Sequence, residues 1–141
     1  MRRFSHVAVT AAVVAVVAFA AGRMTQAHDA AGGESVKVVA SEKLPNVPGK
    51  SVTAVLVSYP AGVTSAAHHH AGSVLAYVLS GEIRSENSAT GPAKVYKAGE
   101  AFFEPPGSQH LVSENASKTE PASLLAIFVA DDGAKLTTVN K

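Results

Sequence analysis

The sequence AAHHHAGSVLAYVLSG, residues 66–81, places three consecutive histidines directly before an apolar run. These are half of the six histidines in a chain of 141 residues. Side chains alternate between the two faces of an extended strand, so His68 and His70 are expected on one face and His69 on the other. Two imidazoles about 6–7 Å apart on one face can bind the same cation, given a further ligand. The alternative is a solvated run of histidines in a loop.

A third nitrogen ligand is available in the segment GEAFFEPPGSQHLVSEN, residues 99–115. Its Pro-Pro-Gly corner cannot donate hydrogen bonds into a sheet, so we expect a turn there and a new strand beginning near His110. This turn would aim the His110 side chain. His110 is therefore the candidate for a third ligand beside His68 and His70, with the solvated histidine loop still open as the alternative.

The rest of the chain consists of short β-branched and apolar runs separated by Gly, Pro and Asn, which is typical of an all-β sandwich or barrel. No stretch after residue 35 keeps a helical period. The runs at 74–79 and 124–129 are apolar on both faces, so their outer faces should meet a second sheet or a second subunit. The predicted strands are 36–40, 52–59, 74–79, 82–85, 94–96, 101–103, 111–113 and 124–129.

Residues 1–27 have the pattern of a secretory signal peptide. Arg2 and Arg3 precede a mostly apolar stretch at 7–21, and a short polar region ends at Ala27, where we expect cleavage. The alternative is an uncleaved membrane anchor. Residues 28–35 are expected to be a flexible leader and residues 36–141 the folded domain. The protein is thus predicted to be periplasmic or secreted.

Charge and cysteine content limit the function classes. Removal of residues 1–27 takes away three arginines and no acid, which changes the formal charge from +1 to −2. The remaining lysines are scattered, so no nucleic-acid partner is expected. The chain has no cysteine. Any metal ligands must therefore be nitrogen or oxygen groups.

The spacing of both histidine segments resembles the two motifs of the cupin superfamily, G(X)5HXH(X)3,4E(X)6G and G(X)5PXG(X)2H(X)3N. The similarity is greatest to small single-domain bacterial cupins. Two departures stand out: Val74 occupies the position of the motif glutamate, and Asn115 lies one residue later than the motif asparagine. The matching positions are Gly62, His68, His70 and Gly81 in the first motif, and Gly99, Pro105, Gly107 and His110 in the second.

The resemblance implies a double-stranded β-helix, a jelly-roll barrel with the motif histidines inside, often assembled as a homodimer. It also implies that His68, His70 and His110 bind a divalent metal ion. Fe(II) is the first expectation, with Zn, Mn, Ni and Cu as alternatives. Cupins with three-histidine sites include dioxygenases acting on thiols, diketones and gentisate, whereas other cupins have lost metal and activity. Two hypotheses follow: a mononuclear metal dioxygenase-like enzyme acting on a small organic anion, and a non-enzymatic cupin that binds or senses a small ligand.

Three neutral imidazoles without a carboxylate would leave the ion its full 2+ charge and suit anionic ligands. Val74 would make the adjoining wall apolar and leave space there. Glu104 is expected to be an exposed carboxylate at a strand end, with a general base or an acceptor behind a metal ligand as the alternatives. Aromatic residues Tyr77, Phe102 and Phe103 are expected in core or dimer packing rather than in a pocket.

Overall fold

The computed structural model describes residues 33–141. The predicted signal peptide and its cleavage site lie outside these residues. The described chain contains no helix that is long and apolar enough to cross a membrane. Its ten strands are β1 (Ser35–Lys43), β2 (Lys50–Tyr59), β3 (His68–His70), β4 (Ser73–Ser80), β5 (Glu82–Asn87), β6 (Gly91–Lys97), β7 (Ala101–Glu104), β8 (Gln109–Asn115), β9 (Ala122–Asp131) and β10 (Thr137–Val139).

The strands form two antiparallel five-stranded sheets that face each other as a double-stranded β-helix, which confirms the predicted all-β class. The first sheet has the order β1-β2-β9-β4-β7 and the second the order β10-β3-β8-β5-β6. All eight predicted strands are present, and the histidine stretch is the separate short strand β3. Two strands lie outside the eight predicted ranges: β3, and β10, whose three residues form a strand by pairing with the distant β3.

The core lies between the sheets and consists mainly of inward-facing apolar side chains of the first sheet. Along β4, Val74, Ala76 and Val78 point inward and are at most 1% exposed. Tyr77 and Leu75 point outward and are 43% and 46% exposed. The period of two of an extended strand therefore accounts for the two faces of β4.

The outer face of the first sheet is also apolar. Leu75, Tyr77 and Leu79 of β4 lie beside Phe103 of β7 and Val129 of β9, and all five are exposed. No second sheet covers this face within residues 33–141, so of the two expected alternatives a second subunit stays a prediction. We refer to these five residues as the outer apolar patch.

Gly81, the last glycine of the first motif, makes the tight connection between β4 and β5. Its φ of 69° lies in the left-handed region that favours glycine. A Cβ atom there would lie 2.6 Å from the Pro121 carbonyl oxygen and 2.7 Å from the Ala122 Cβ. Both the turn and the close approach of the neighbouring chain require glycine at this position.

Candidate metal centre

The structure brings together the three histidines that the sequence predicted as one site. Strands β3 and β8 are antiparallel neighbours, and His68 lies directly opposite His110. His70 follows two residues later on the same face of β3. One ring nitrogen from each histidine lies within 4.8 Å of the others. His69 points away, as expected, and its Nδ1 lies 3.0 Å from Asn140 Oδ1.

A β-bulge in β8 turns His110 into the barrel. Glu86 pairs with Val112 and Asn87 with His110, so Leu111 has no partner on β5. Strict alternation from Ser113 would point Leu111 inward and His110 outward. The extra residue reverses this, leaving His110 buried and Leu111 46% exposed.

The same bulge accounts for the one-residue delay of Asn115 relative to the motif. With one residue taken up by the bulge, His110 and Asn115 both face inward, as they would at the shorter spacing. Asn115 is 1% exposed, and its side-chain amide donates to the carbonyl of Glu120 at 2.7 Å. The departure in spacing is therefore compensated in the structure.

The corner between β7 and β8 is fastened to the histidine strand. The Gly107 backbone N–H donates to the His70 carbonyl at 2.8 Å. Within the corner, the Ser108 hydroxyl donates to the Pro105 carbonyl at 2.6 Å. The second motif thus holds the backbone of the first, so His110 is fixed relative to His70.

Hydrogen bonds set the tautomers of His68 and His70. The Nδ1 of His68 lies 2.8 Å from the Ala66 carbonyl, and the Nδ1 of His70 lies 3.2 Å from the Leu136 carbonyl. A carbonyl can only accept, so each Nδ1 carries the hydrogen and each Nε2 keeps its lone pair.

Burial lowers the pKa of His68, and it lowers the pKa of His70 to about 4. Both rings are therefore neutral at pH 7, as metal ligands must be.

His110 supplies an unsatisfied buried nitrogen. Its Nε2 lies 2.9 Å from the Ser85 hydroxyl. Its Nδ1 is buried and makes no aligned hydrogen bond, although Glu104 Oε2 is only 2.9 Å away. Buried polar atoms in native proteins are nearly always satisfied, so this nitrogen needs an explanation. Together with the two free lone pairs of His68 and His70, it fits a divalent metal ion.

Glu104 is not the exposed carboxylate that we expected. It is 3% exposed and points into the barrel from β7, directly opposite Val74. Its Oε2 lies 3.7 Å from His70 Nε2, and Asn87 donates to it at 3.4 Å. Burial acts to raise the pKa of Glu104, but the short side-chain contact with His110, followed by the charges of the histidines in their protonated forms, outweighs burial and the pKa is lowered. The space beside Val74 is therefore reached by a carboxylate rather than being wholly apolar.

Alternation along β7 was the available signal for Glu104, because Phe102 and Glu104 share one face. Only the pairing of β7 with β4 shows that this is the histidine face. We call His68, His70, Glu104 and His110 the histidine cluster.

A second group of polar side chains lies next to the histidine cluster. Ser113 pairs across the strands with Ser85, and its hydroxyl lies 2.8 Å from the Tyr59 hydroxyl. The Ser65 hydroxyl donates its one hydrogen to Glu34, and its oxygen lies 3.1 Å from the Tyr59 hydroxyl. Burial and the nearby Glu34 raise the pKa of Tyr59 to about 12. The sequence did not predict this group, which we call the hydroxyl cluster: Glu34, Tyr59, Ser65 and Ser113.

Solved structures share this fold at low sequence identity. An uncharacterized conserved protein with a double-stranded beta-helix domain from Klebsiella pneumoniae matches with a TM-score of 0.61 and 22% identity, over 82% of this chain and 91% of that chain. A recombinant oxalate oxidase in complex with glycolate matches with a TM-score of 0.60 and 21% identity, over 77% of this chain and 56% of that one.

The DMSP lyase DddQ from Ruegeria pomeroyi matches with a TM-score of 0.55 and 21% identity, over 63% of this chain. The matched part is only 43% of that lyase chain. No curated protein matches the sequence significantly. The sequence model of the cupin domain matches residues 55–128, a range that contains all four members of the histidine cluster. The chain therefore belongs to the cupin family.

Proposed function

We propose that this protein is an exported single-domain cupin that binds one divalent metal ion through His68, His70 and His110. In this proposal it acts on a small organic anion in the manner of a mononuclear metal dioxygenase. The observation that carries the proposal is the convergence of three ring nitrogens within 4.8 Å. Fe(II) is the first ion to test, and Zn, Mn, Ni and Cu follow, because imidazole suits all of these ions.

Bound iron would supply redox chemistry with O2, whereas bound zinc would polarise a carbonyl group or activate water. The protein's own contribution is to hold its ligands rigidly and to limit water. The His70 ring packs at 5.1 Å from the Phe128 ring, and the His110 ring at 6.0 Å from the Phe102 ring. These aromatic neighbours fix the imidazoles and make the base of the site apolar.

The choice of a small organic anion has two supports. A cationic centre attracts an anion, especially where the surrounding walls are apolar. The oxalate oxidase that shares the fold was solved with glycolate, a small organic acid.

Metal content is the decisive test. We would measure it by elemental mass spectrometry on mature protein purified without a histidine tag, beside a His68→Ala/His110→Ala double variant and a His69→Ala control. About one equivalent in the wild type and the control, lost in the double variant, would support the proposal. Absence of metal from all three, even after anaerobic loading with Fe(II) or Zn(II), would overturn it.

Enzymatic activity requires a separate measurement. We expect the Fe(II)-loaded protein to consume O2 when a suitable diketone, thiol or catechol-like acid is added, and the double variant to be inactive. Tight ligand binding without turnover would instead indicate the non-enzymatic binding or sensing cupin.

Export is proposed from the pattern of residues 1–27. Expression in a bacterial host followed by fractionation should give mature protein in the periplasm or medium, with His28 as its first residue. Full-length chain in the membrane fraction would indicate an uncleaved anchor.

Homodimer formation is proposed from the outer apolar patch, whose residues Leu75, Tyr77, Leu79, Phe103 and Val129 are 39–48% exposed. Contiguous exposed apolar surface of this kind commonly marks a protein interface. Sedimentation analysis should show a dimer for the wild type and a monomer for Tyr77→Glu. A wild-type monomer at high concentration would contradict this assembly.

A further inference from the structure

The missing motif glutamate has a counterpart across the sheet. Val74 and Glu104 are direct partners in the antiparallel β4–β7 ladder, and both point inward. Directly opposite residues in such a ladder have Cβ atoms about 4.5–5.5 Å apart. A glutamate at either position can therefore deliver its carboxylate to nearly the same place in the barrel.

One carboxylate oxygen of Glu104 is about as far from two ring nitrogens of the histidine cluster as two ligand atoms of one metal ion are from each other. Its Oε2 is 2.9 Å from His110 Nδ1 and 3.7 Å from His70 Nε2. Two ligand atoms about 2.1 Å from one ion are about 3.0 Å apart at a right angle and about 3.4 Å apart at a tetrahedral angle. The two observed separations bracket these values, so one ion can contact all three atoms after small adjustments.

An ordinary role behind His110 fits less well. A carboxylate that only orients a ligand accepts a hydrogen bond from the ring nitrogen facing away from the metal. The contact with His110 Nδ1 lacks the alignment of such a bond. The same oxygen also faces His70 Nε2, whose lone pair points into the site because Nδ1 donates to Leu136.

Glu104 also lacks a permanent counter-charge. Among residues 33–141, the basic side chains that lie no more than 4.0 Å from the Glu104 carboxylate are His70 and His110. No lysine or arginine of that range lies so close to it. A buried carboxylate without a cation is costly. A divalent ion between Glu104 and the histidines would remove that cost.

We infer that Glu104 is the fourth metal ligand of this protein and supplies, from β7, the carboxylate that the first motif lacks at Val74. The inference rests on the proposed metal centre. It changes the chemistry of that centre, because a bound divalent ion would carry a net charge of 1+ rather than the 2+ of three imidazoles alone. It also leaves one position fewer for an anionic ligand.

The test compares Co(II) binding and Co(II) absorption spectra of the mature apoprotein and three variants. Glu104→Gln removes the charge but keeps the shape and a hydrogen-bond acceptor. The exchange Val74→Glu/Glu104→Val moves the carboxylate to the motif position. Glu114→Gln, on β8, is the matched control, because Glu114 contacts Arg84 and Thr64 away from the site.

We expect the wild type and Glu114→Gln to bind one equivalent with the same spectrum. Glu104→Gln should bind at least about 100-fold more weakly, beyond the usual 10–100-fold cost of losing a group behind a ligand, and with shifted absorption bands. The exchange variant should recover to within about 10-fold of the wild type, because the ligand set is restored.

Binding by Glu104→Gln within about 10-fold of the wild type, with unchanged bands, would overturn the inference while leaving the three-histidine centre intact. Failure of the wild type and Glu114→Gln to bind metal would overturn the proposed function itself. If Glu104→Gln does not fold, infrared difference spectra of the wild type with and without Zn(II) decide: a shifted carboxylate band supports ligation, and its absence contradicts ligation.

Discussion

The barrel interior holds two neighbouring polar clusters that differ in whether all of their polar atoms have hydrogen-bond partners. In the hydroxyl cluster, Ser65 donates to Glu34, and the Tyr59 hydroxyl lies within hydrogen-bond distance of both Ser65 and Ser113, so the groups satisfy one another. In the histidine cluster, the Nε2 lone pairs of His68 and His70 stay free and His110 Nδ1 is unsatisfied. A network in which every polar group has a partner, which we call closed, stabilises the fold. A network with unpaired nitrogens leaves those nitrogens free to bind a ligand.

Metal addition should give the largest difference between variants of the histidine cluster and variants of the hydroxyl cluster. At a free metal concentration of 1,000 times Kd, binding to the folded state raises the free energy of unfolding by about 4 kcal/mol. We expect a corresponding rise in Tm for the wild type and for Tyr59→Phe, reversed by a chelator. The His68→Ala/His110→Ala variant should show no rise, and an equal rise in that variant would place the metal elsewhere.

Acidification should weaken the apoprotein through the histidine cluster. The pKa of His70 falls from its ordinary 6.5 to about 4 in the folded state, so the unfolded chain binds the proton first. Stability is full above pH 6.5 and is lost progressively as the pH falls toward 4, by on the order of 2–3 kcal/mol. Urea unfolding at several pH values should show this slope, and His70→Ala should reduce it. An unchanged slope in that variant would assign the effect to other groups.

Removing one hydroxyl from the hydroxyl cluster should have a smaller effect on the free energy of unfolding than metal addition or acidification. Tyr59→Phe leaves the hydroxyls of Ser65 and Ser113 with one partner fewer in a buried place, which should lower the free energy of unfolding by about 1–2 kcal/mol. Metal affinity should stay within about 3-fold of the wild type, since no ligand is altered. The partly exposed Tyr96 gives the control, Tyr96→Phe, and equal losses in both variants would contradict a closed network.

The smallest effect is expected outside both clusters. His69 belongs to the same histidine triplet but faces outward to Asn140. His69→Ala should change stability by no more than about 0.5 kcal/mol and leave metal stoichiometry unchanged. Loss of metal in this variant would show that β3 adopts a different register in solution.

The strands and the three histidines could be predicted because their signals are local. Alternation of apolar residues indicates a strand within a few positions, and the spacing Gly62, His68, His70 places two imidazoles on one face. The bulge in β8 was visible only as a distance, five positions from His110 to Asn115 where the motif has four. That discrepancy identifies an extra residue, but pairing with β5 was needed to show which residue is left out.

Local pattern was therefore enough for the all-β fold and for the two motif spacings, and the cupin resemblance of those spacings was what joined His68, His70 and His110 in one predicted site. Tertiary structure decided the position of Glu104, which lies 30 residues from Val74 in sequence and opposite it in the sheet. It also decided the closure of the hydroxyl cluster and the addition of β10 to β3. These features depend on strand register, which is set by the packing of the whole barrel rather than by the residues of one strand.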